Sequence, residues 1–117
     1  MRTDWEWYTK DGADVLNALA PYENVTVLYG HIHRHDVHQT DHATHYASKS
    51  LIFGFPDPTT TGDKKPVAFS KDNPFHNLGL QRITAKRPMQ VDDIELTVDT
   101  FSGMNAAMQI SRTGAFV

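Results

Sequence analysis

Five consecutive residues, Val25-Thr26-Val27-Leu28-Tyr29, set the strongest limit on what this chain can fold into. They are β-branched, aromatic and almost continuously apolar, the pattern of a strand covered on both faces rather than one with a wet side. Gly30 cuts the run and permits a sharp turn or a close backbone approach. Immediately afterwards the histidines begin: six of the chain's seven lie between His31 and His45. A buried strand that delivers polar residues at its carboxyl end is how open α/β sheets place their ligand sites.

The neighbouring segments read as an α+β chain, strand-rich with one short N-terminal helix. Asp11 to Ala20 predicts that helix, with Asp11 as N-cap, Asp14 in the first turn where a carboxylate favours the helix dipole, and Pro21 as the stop. Val15, Leu16 and Leu19 share one face. Trp5, Trp7 and Tyr8 are read as packing over the helix start. Further extended segments are predicted at His42–Tyr46, Ser50–Phe53, Leu80–Ile83 and Ile94–Asp99, the last by clean apolar–polar alternation. Pro56 to Pro66 is rich in proline, threonine and charge and reads as a loop. The residues from Ser102 on carry no strong pattern, and no internal repeat is present.

Composition narrows the function. The 117 residues amount to one domain at most, and a domain of that size buries roughly 65% of its unfolded surface. Only 39% of residues are hydrophobic, which suits a loop-rich domain or part of a larger one. A net charge of −3 without a basic stripe argues against phosphate-backbone binding, so no nucleic-acid surface is expected. No apolar run reaches the ~20 residues of a membrane span, and the first residues lack the apolar core of an export signal. Cysteine is absent, which removes disulfides and thiolate metal sites.

The chemistry is in His31 to His45. In an extended backbone residues i and i+2 project to the same side, so His31 and His33 are expected to present two imidazoles to one locale. Neutral imidazole is the commonest metal ligand. Two metal ions ~3.5–4 Å apart are the usual device for in-line attack on phosphate esters. His35 and His38 are candidates for additional metal or substrate contacts, or for groups that orient the ligands. His76 stands apart in a loop. The residues assign no catalytic acid or base and no organic cofactor site.

The run Asn24 to His33, a strand ending in Gly30-His31-Ile32-His33, resembles the last conserved motif of the calcineurin-like metallophosphoesterases, Gly-His-x-His. Trp7-Tyr8-Thr9-Lys10-Asp11-Gly12 with the helix after it, and Ala47 to Pro56, are similar to the segments flanking that motif in one bacterial subfamily. The resemblance covers about residues 5–85. It implies a β-sandwich flanked by helices and a dinuclear centre of divalent ions (iron, manganese or zinc, all of which accept imidazole). It also implies hydrolysis of a small-molecule phosphomonoester or phosphodiester. By position, His31 binds one metal and His33 the other. Residues 1–100 then correspond to the C-terminal portion of such a domain and 101–117 to a tail.

The family's earlier motifs, Asp-x-His, Gly-Asp-x-x-Asp, Gly-Asn-His and a lone histidine, are not among the roughly thirty residues before Gly30. Asp36-Val37-His38 spells the first of them but follows Gly-His-x-His, in the wrong order. Two histidines cannot hold two ions that each need about three protein ligands. The chain is therefore expected to resemble the end of an enzyme, inactive alone, and to hide its exposed sheet face by homo-oligomerisation. The resemblance places such an enzyme in the cytoplasm or periplasm. The alternative is a stand-alone histidine-rich metal-binding module in which His31, His33, His35 and His38 complete one mononuclear site without hydrolase activity. A third reading is an interaction domain in which metal is incidental.

Overall fold

The computed structural model describes residues 8–100. Trp5, Trp7 and the tail 101–117 lie outside them. The described residues form a small α+β protein with one short helix, α1 (Gly12–Leu19), and five strands: β1 (Val25–Tyr29), β2 (Asp36–Gln39), β3 (Ala43–Ala47), β4 (Gly79–Thr84) and β5 (Gln90–Glu95).

The strands make two open sheets. The first has the order β1-β3-β2, and the second is the β4–β5 hairpin. β1 runs parallel to β3, with Val25 opposite Ala43 and Tyr29 opposite Ala47. β2 runs antiparallel to β3, with Asp36 opposite Ala47 and His38 opposite His45. β3 is therefore the covered strand, and its alternation is sharp: Ala43, His45 and Ala47 are 2%, 4% and 0% exposed. Small side chains at 43 and 47 let neighbouring groups close over them. This corrects the expectation for β1. It is a strand, as its composition demands, but it stands at the sheet edge with Leu28 44% exposed, because β3 takes the centre.

Helix α1 starts and stops where its sequence signals lie. The Asp11 carbonyl accepts from the Asp14 and Val15 amides at 3.1 and 3.2 Å. The Asp11 side chain makes no capping bond, and no residue of the helix is buried. The apolar stripe is real but unsealed: Val15 and Leu16 line a narrow, mostly apolar cleft of about 120 Å³ against Val27, Tyr29 and His45 of the first sheet. Tyr8, read as packing over the helix start, is exposed.

Two predicted strands are corrected. Ser50–Phe53 is not a strand. Ser50 makes a single parallel bridge to Leu78, and then its hydroxyl accepts from the Ile52 amide at 3.1 Å. That local bond competes with a ladder and turns the chain, leaving Ile52 80% exposed. Ile94–Asp99 is strand only as far as Glu95, because the pairing with β4 sets its extent from Gln90. The Leu96 amide still reaches the Leu78 carbonyl at 2.9 Å. Beyond it the Thr97 amide donates to Thr100 Oγ1 at 2.6 Å and the chain turns.

The hairpin docks on the first sheet through a narrow seam. The Gly79 amide donates to the Ser50 carbonyl at 3.2 Å, Gln81 Nε2 donates to the Ala47 carbonyl at 3.0 Å, and Lys49 Nζ pairs with Glu95. The 56–66 segment is irregular, as read from sequence. Among the described residues no helix is long and apolar enough to cross a membrane.

Candidate functional site at the end of the first strand

The histidine motif occupies a tight turn, not an extended segment. The Ile32 amide donates to the Gly30 carbonyl at 2.9 Å, closing a three-residue turn centred on His31, whose φ is 72°. His33 is left-handed as well, at φ 50°. Such backbone costs a residue with a Cβ on the order of 1–3 kcal/mol, and it concentrates at sites where geometry is held for a purpose. Ile32, between the two histidines, is buried and anchors the turn.

The turn removes the extended backbone on which the common-side expectation rests. His31 is exposed. His33 is half-buried and clasped: its ring lies 4.5 Å from Phe53 and 5.2 Å from Phe55. Its Nδ1 is 2.9 Å from the Phe53 carbonyl oxygen. A carbonyl only accepts, so Nδ1 carries the proton and, in the neutral ring, Nε2 holds the lone pair. A backbone carbonyl that fixes the tautomer in this way is the usual partner of a metal-ligating histidine.

His33 and His35 line one pocket of about 350 Å³ together with Arg34, Lys49, Phe55, Pro56, Asp57 and Asn77. His35 Nδ1 lies 3.2 Å from Asp93 on β5, and Arg34 faces Asp57 at 3.8 Å. The Thr59 amide and hydroxyl donate to Asp57 at 2.9 and 2.8 Å, and these bonds, with a smaller contribution from Arg34, hold its carboxyl below the usual range. Arg34, Lys49, Asp57 and Asn77 were not singled out from the sequence. Only Arg34 sits inside the histidine segment, and the others arrive from separate stretches of chain.

His38 belongs to a different cluster. It stacks on His45 across the β2–β3 register, with centroids 4.5 Å apart and planes 10° apart. Its Nδ1 donates to Asp36 at 3.2 Å, and the Tyr29 hydroxyl donates to the same oxygen at 2.8 Å. Burial pushes the Asp36 carboxyl up, but the Tyr29 and His38 bonds outweigh it and the net shift is downward. Burial, then the bond to Asp36, pushes the Tyr29 hydroxyl well up. Burial, then the charge of His38, pushes His45 down. The sequence marks His45 only as one histidine among many; its place in the middle of the central strand makes it a buried member of the sheet.

Among the described residues no three histidine or acidic side chains converge to hold a metal ion. His33 fits the role of a single ligand. His31 is brought to the same turn but not to the pocket lining, and His38 is engaged with Asp36 and His45. His33 and His35 share the pocket lining, which includes neither His31 nor His38. Comparison with protein-family models, with curated proteins and with solved structures found no match.

Proposed function

We propose that the 25–57 segment forms the Gly-His-x-His wall of a metal-dependent phosphoesterase of the calcineurin-like type, acting on a phosphomonoester or phosphodiester. The observation that carries this reading is the His33 Nδ1–H bond to the Phe53 carbonyl. It leaves Nε2 as the free donor atom on a ring that two aromatic side chains hold in place beside a polar pocket. His31, one turn residue away, is the ligand proposed for the second ion. A divalent ion bound here supplies Lewis acidity and a water of lowered pKa. The chain's own residues orient the imidazole, exclude water from one side of it through Phe53 and Phe55, and place cations nearby. In this reading the β-sandwich and the remaining ligands come from sequence other than these 117 residues, and the chain alone is inactive.

The edge position of β1, with Leu28 and Val37 exposed on one face of the first sheet among the described residues, supports a second part of the proposal: the chain self-associates through that face. Light scattering that finds a monodisperse monomer at high concentration would sink this part.

Manganese, iron(II) or zinc titrated into wild type, His31→Ala and His33→Ala tests the metal reading. Wild type should take up metal, His33→Ala should lose at least tenfold in affinity, consistent with the loss of a ligand or of its orienting partner (roughly 10–100-fold), and phosphodiester turnover should be absent. Robust turnover by wild type would overturn the incomplete-wall reading, and equal metal affinity in all three proteins would overturn the ligand assignment.

A further inference from the structure

The pocket beside His33 contains two cations that metal ligation does not use. We infer that Arg34 and Lys49 form a metal-independent subsite that positions the phosphate group of the substrate. The inference deepens the phosphoester reading, from which the identity of the ligand follows; the subsite itself stands on separate residues.

The present partner of Arg34 holds it loosely, whereas Lys49 is paired directly with Glu95. Arg34 faces Asp57 at 3.8 Å, beyond hydrogen-bond distance, with the Asp57 side chain half in water. Exposed pairs of this kind contribute little. Asp57 does not need Arg34, because the Thr59 amide and hydroxyl already satisfy it. Lys49 is different in its stem: the side chain is only 13% exposed, while its partner Glu95 is 72% exposed. The stem runs over Gly79, where its Cδ would lie 3.2 Å from an added Cβ. The seam between the sheets thus carries the ammonium group to the pocket on a mostly buried support, and a phosphate that binds it shares it with, or takes it from, the largely exposed Glu95.

The arrangement suits a phosphate better than a carboxylate. A planar carboxylate is satisfied by one guanidinium fork. Here donors come from three separate stretches of chain: the turn after β1 (Arg34), the segment that follows β3 (Lys49) and the Asn77 amide. A phosphate presents three acceptor oxygens in three directions. Phe55 and Pro56 supply an apolar wall for the group that the phosphate carries, and the pocket, at about 350 Å³, is of small-ligand size.

The test is calorimetry and amide NMR on the full chain in chelator, with inorganic phosphate, phenyl phosphate and chloride as probes. Phosphate should bind and shift the Arg34 side-chain and Asn77 resonances. Phenyl phosphate should bind more tightly, which separates an ester from the free ion; equal affinities would overturn the role of the Phe55 wall. Arg34→Gln and Lys49→Met should each weaken phosphate about tenfold, the scale of one charge-assisted hydrogen bond. Arg34→Lys and Lys49→Arg should restore part of it. Lys49→Met keeps the aliphatic stem over Gly79 but removes the Glu95 pair, so its amide spectrum is checked against wild type and Lys49→Arg, which keeps the charge, controls for docking. Asp57→Asn should strengthen binding, because the competing carboxylate is gone; a merely structural Arg34 would not give that gain. Equal shifts with chloride at matched ionic strength, or unchanged phosphate affinity in both cation variants, would overturn the subsite. Metal titration of the same variants keeps the two readings apart. Phosphate binding by wild type without any metal uptake sinks the metal reading alone, and metal uptake without phosphate binding sinks the subsite alone.

Discussion

The docking of the hairpin on the first sheet brings Glu95 against Lys49 and Asp93 against His35 beside the His33 pocket, and Gly79 is where that docking can be challenged. Gly79 is buried at the start of β4, opposite Glu95. A Cβ at this position would sit 2.6 Å from the Ile94 carbonyl oxygen and 3.2 Å from Lys49 Cδ. The lysine stem can swing aside. The Ile94 carbonyl cannot, since it is backbone within β5. Carbon–oxygen contacts settle at about 3.3 Å or more, so the two strands must separate by roughly 0.7 Å, with no solvent side to relax into. Overpacking of this kind costs about 1–3 kcal/mol. In a domain of this size each kcal/mol lowers Tm by about 4–8 °C, so Gly79→Ala should melt roughly 4–24 °C below wild type. In urea its midpoint should fall while the m-value stays the same. Gly62→Ala, at an exposed loop position with nothing within 4 Å of the added carbon, is the matched control and should melt with wild type. Amide spectra of Gly79→Ala should also move at Lys49, His35 and Asp93, because these residues meet across the seam. A Gly79→Ala melt that coincides with the control would refute the close strand approach, and with it the route by which Lys49 enters the pocket.

Three further outcomes follow from the same geometry. Gly30→Ala should be neutral or stabilise by about 0.4–1 kcal/mol, since nothing lies within 4 Å of the new carbon and the left-handed residue of the turn is His31; a urea midpoint well below wild type would contradict it. Asp36→Ala should cost about 1 kcal/mol by stranding the Tyr29 hydroxyl. Because the Asp36 carboxyl is held down in the fold, its stabilisation is present above the unfolded value of about 3.9 and is lost as pH falls through the folded value. Urea midpoints from pH 5 to 2 should fall less in the variant than in wild type. His45 is also held down, so the unfolded chain binds its proton first and stability declines as pH falls through about 6.5. The slope should be at most about 1.4 kcal/mol per pH unit, and His45→Gln should flatten it; an unchanged slope between pH 7 and 5 would refute the assignment.

The parts of the fold that were legible are those that local chemistry decides. The β-branched run of β1, the polar loop of 56–66 and the helix bounded by Asp11 and Pro21 all lie where composition puts them. The parts that were not legible are those that pairing decides. Asp36-Val37-His38-Gln39 has no strand composition, yet it is β2, because β3 offers it a free edge and its Asp36 and His38 side chains bond each other and Tyr29. β5 reads as a strand from Ile94 on, but its partner begins the ladder at Gln90. Ser50 to Phe53 has the right residues for a strand and lacks a neighbour along most of its length.

The candidate site follows the same division. The sequence identifies the histidines and the strand that delivers them, because both are local. It misplaces how they face, because the rule that i and i+2 share a side holds only for extended backbone. Here the apolar strand stops, Ile32 turns inward to be buried, and the inward turn forces His31 and His33 into positive φ. The single buried isoleucine therefore sets the angle of both candidate ligands. His33 lies against Phe53 and Phe55, where its tautomer is fixed, and His31 is exposed. Conservation of volume at 32 should thus matter more to the motif than the glycine before it, the reverse of what the spelling Gly-His-x-His suggests.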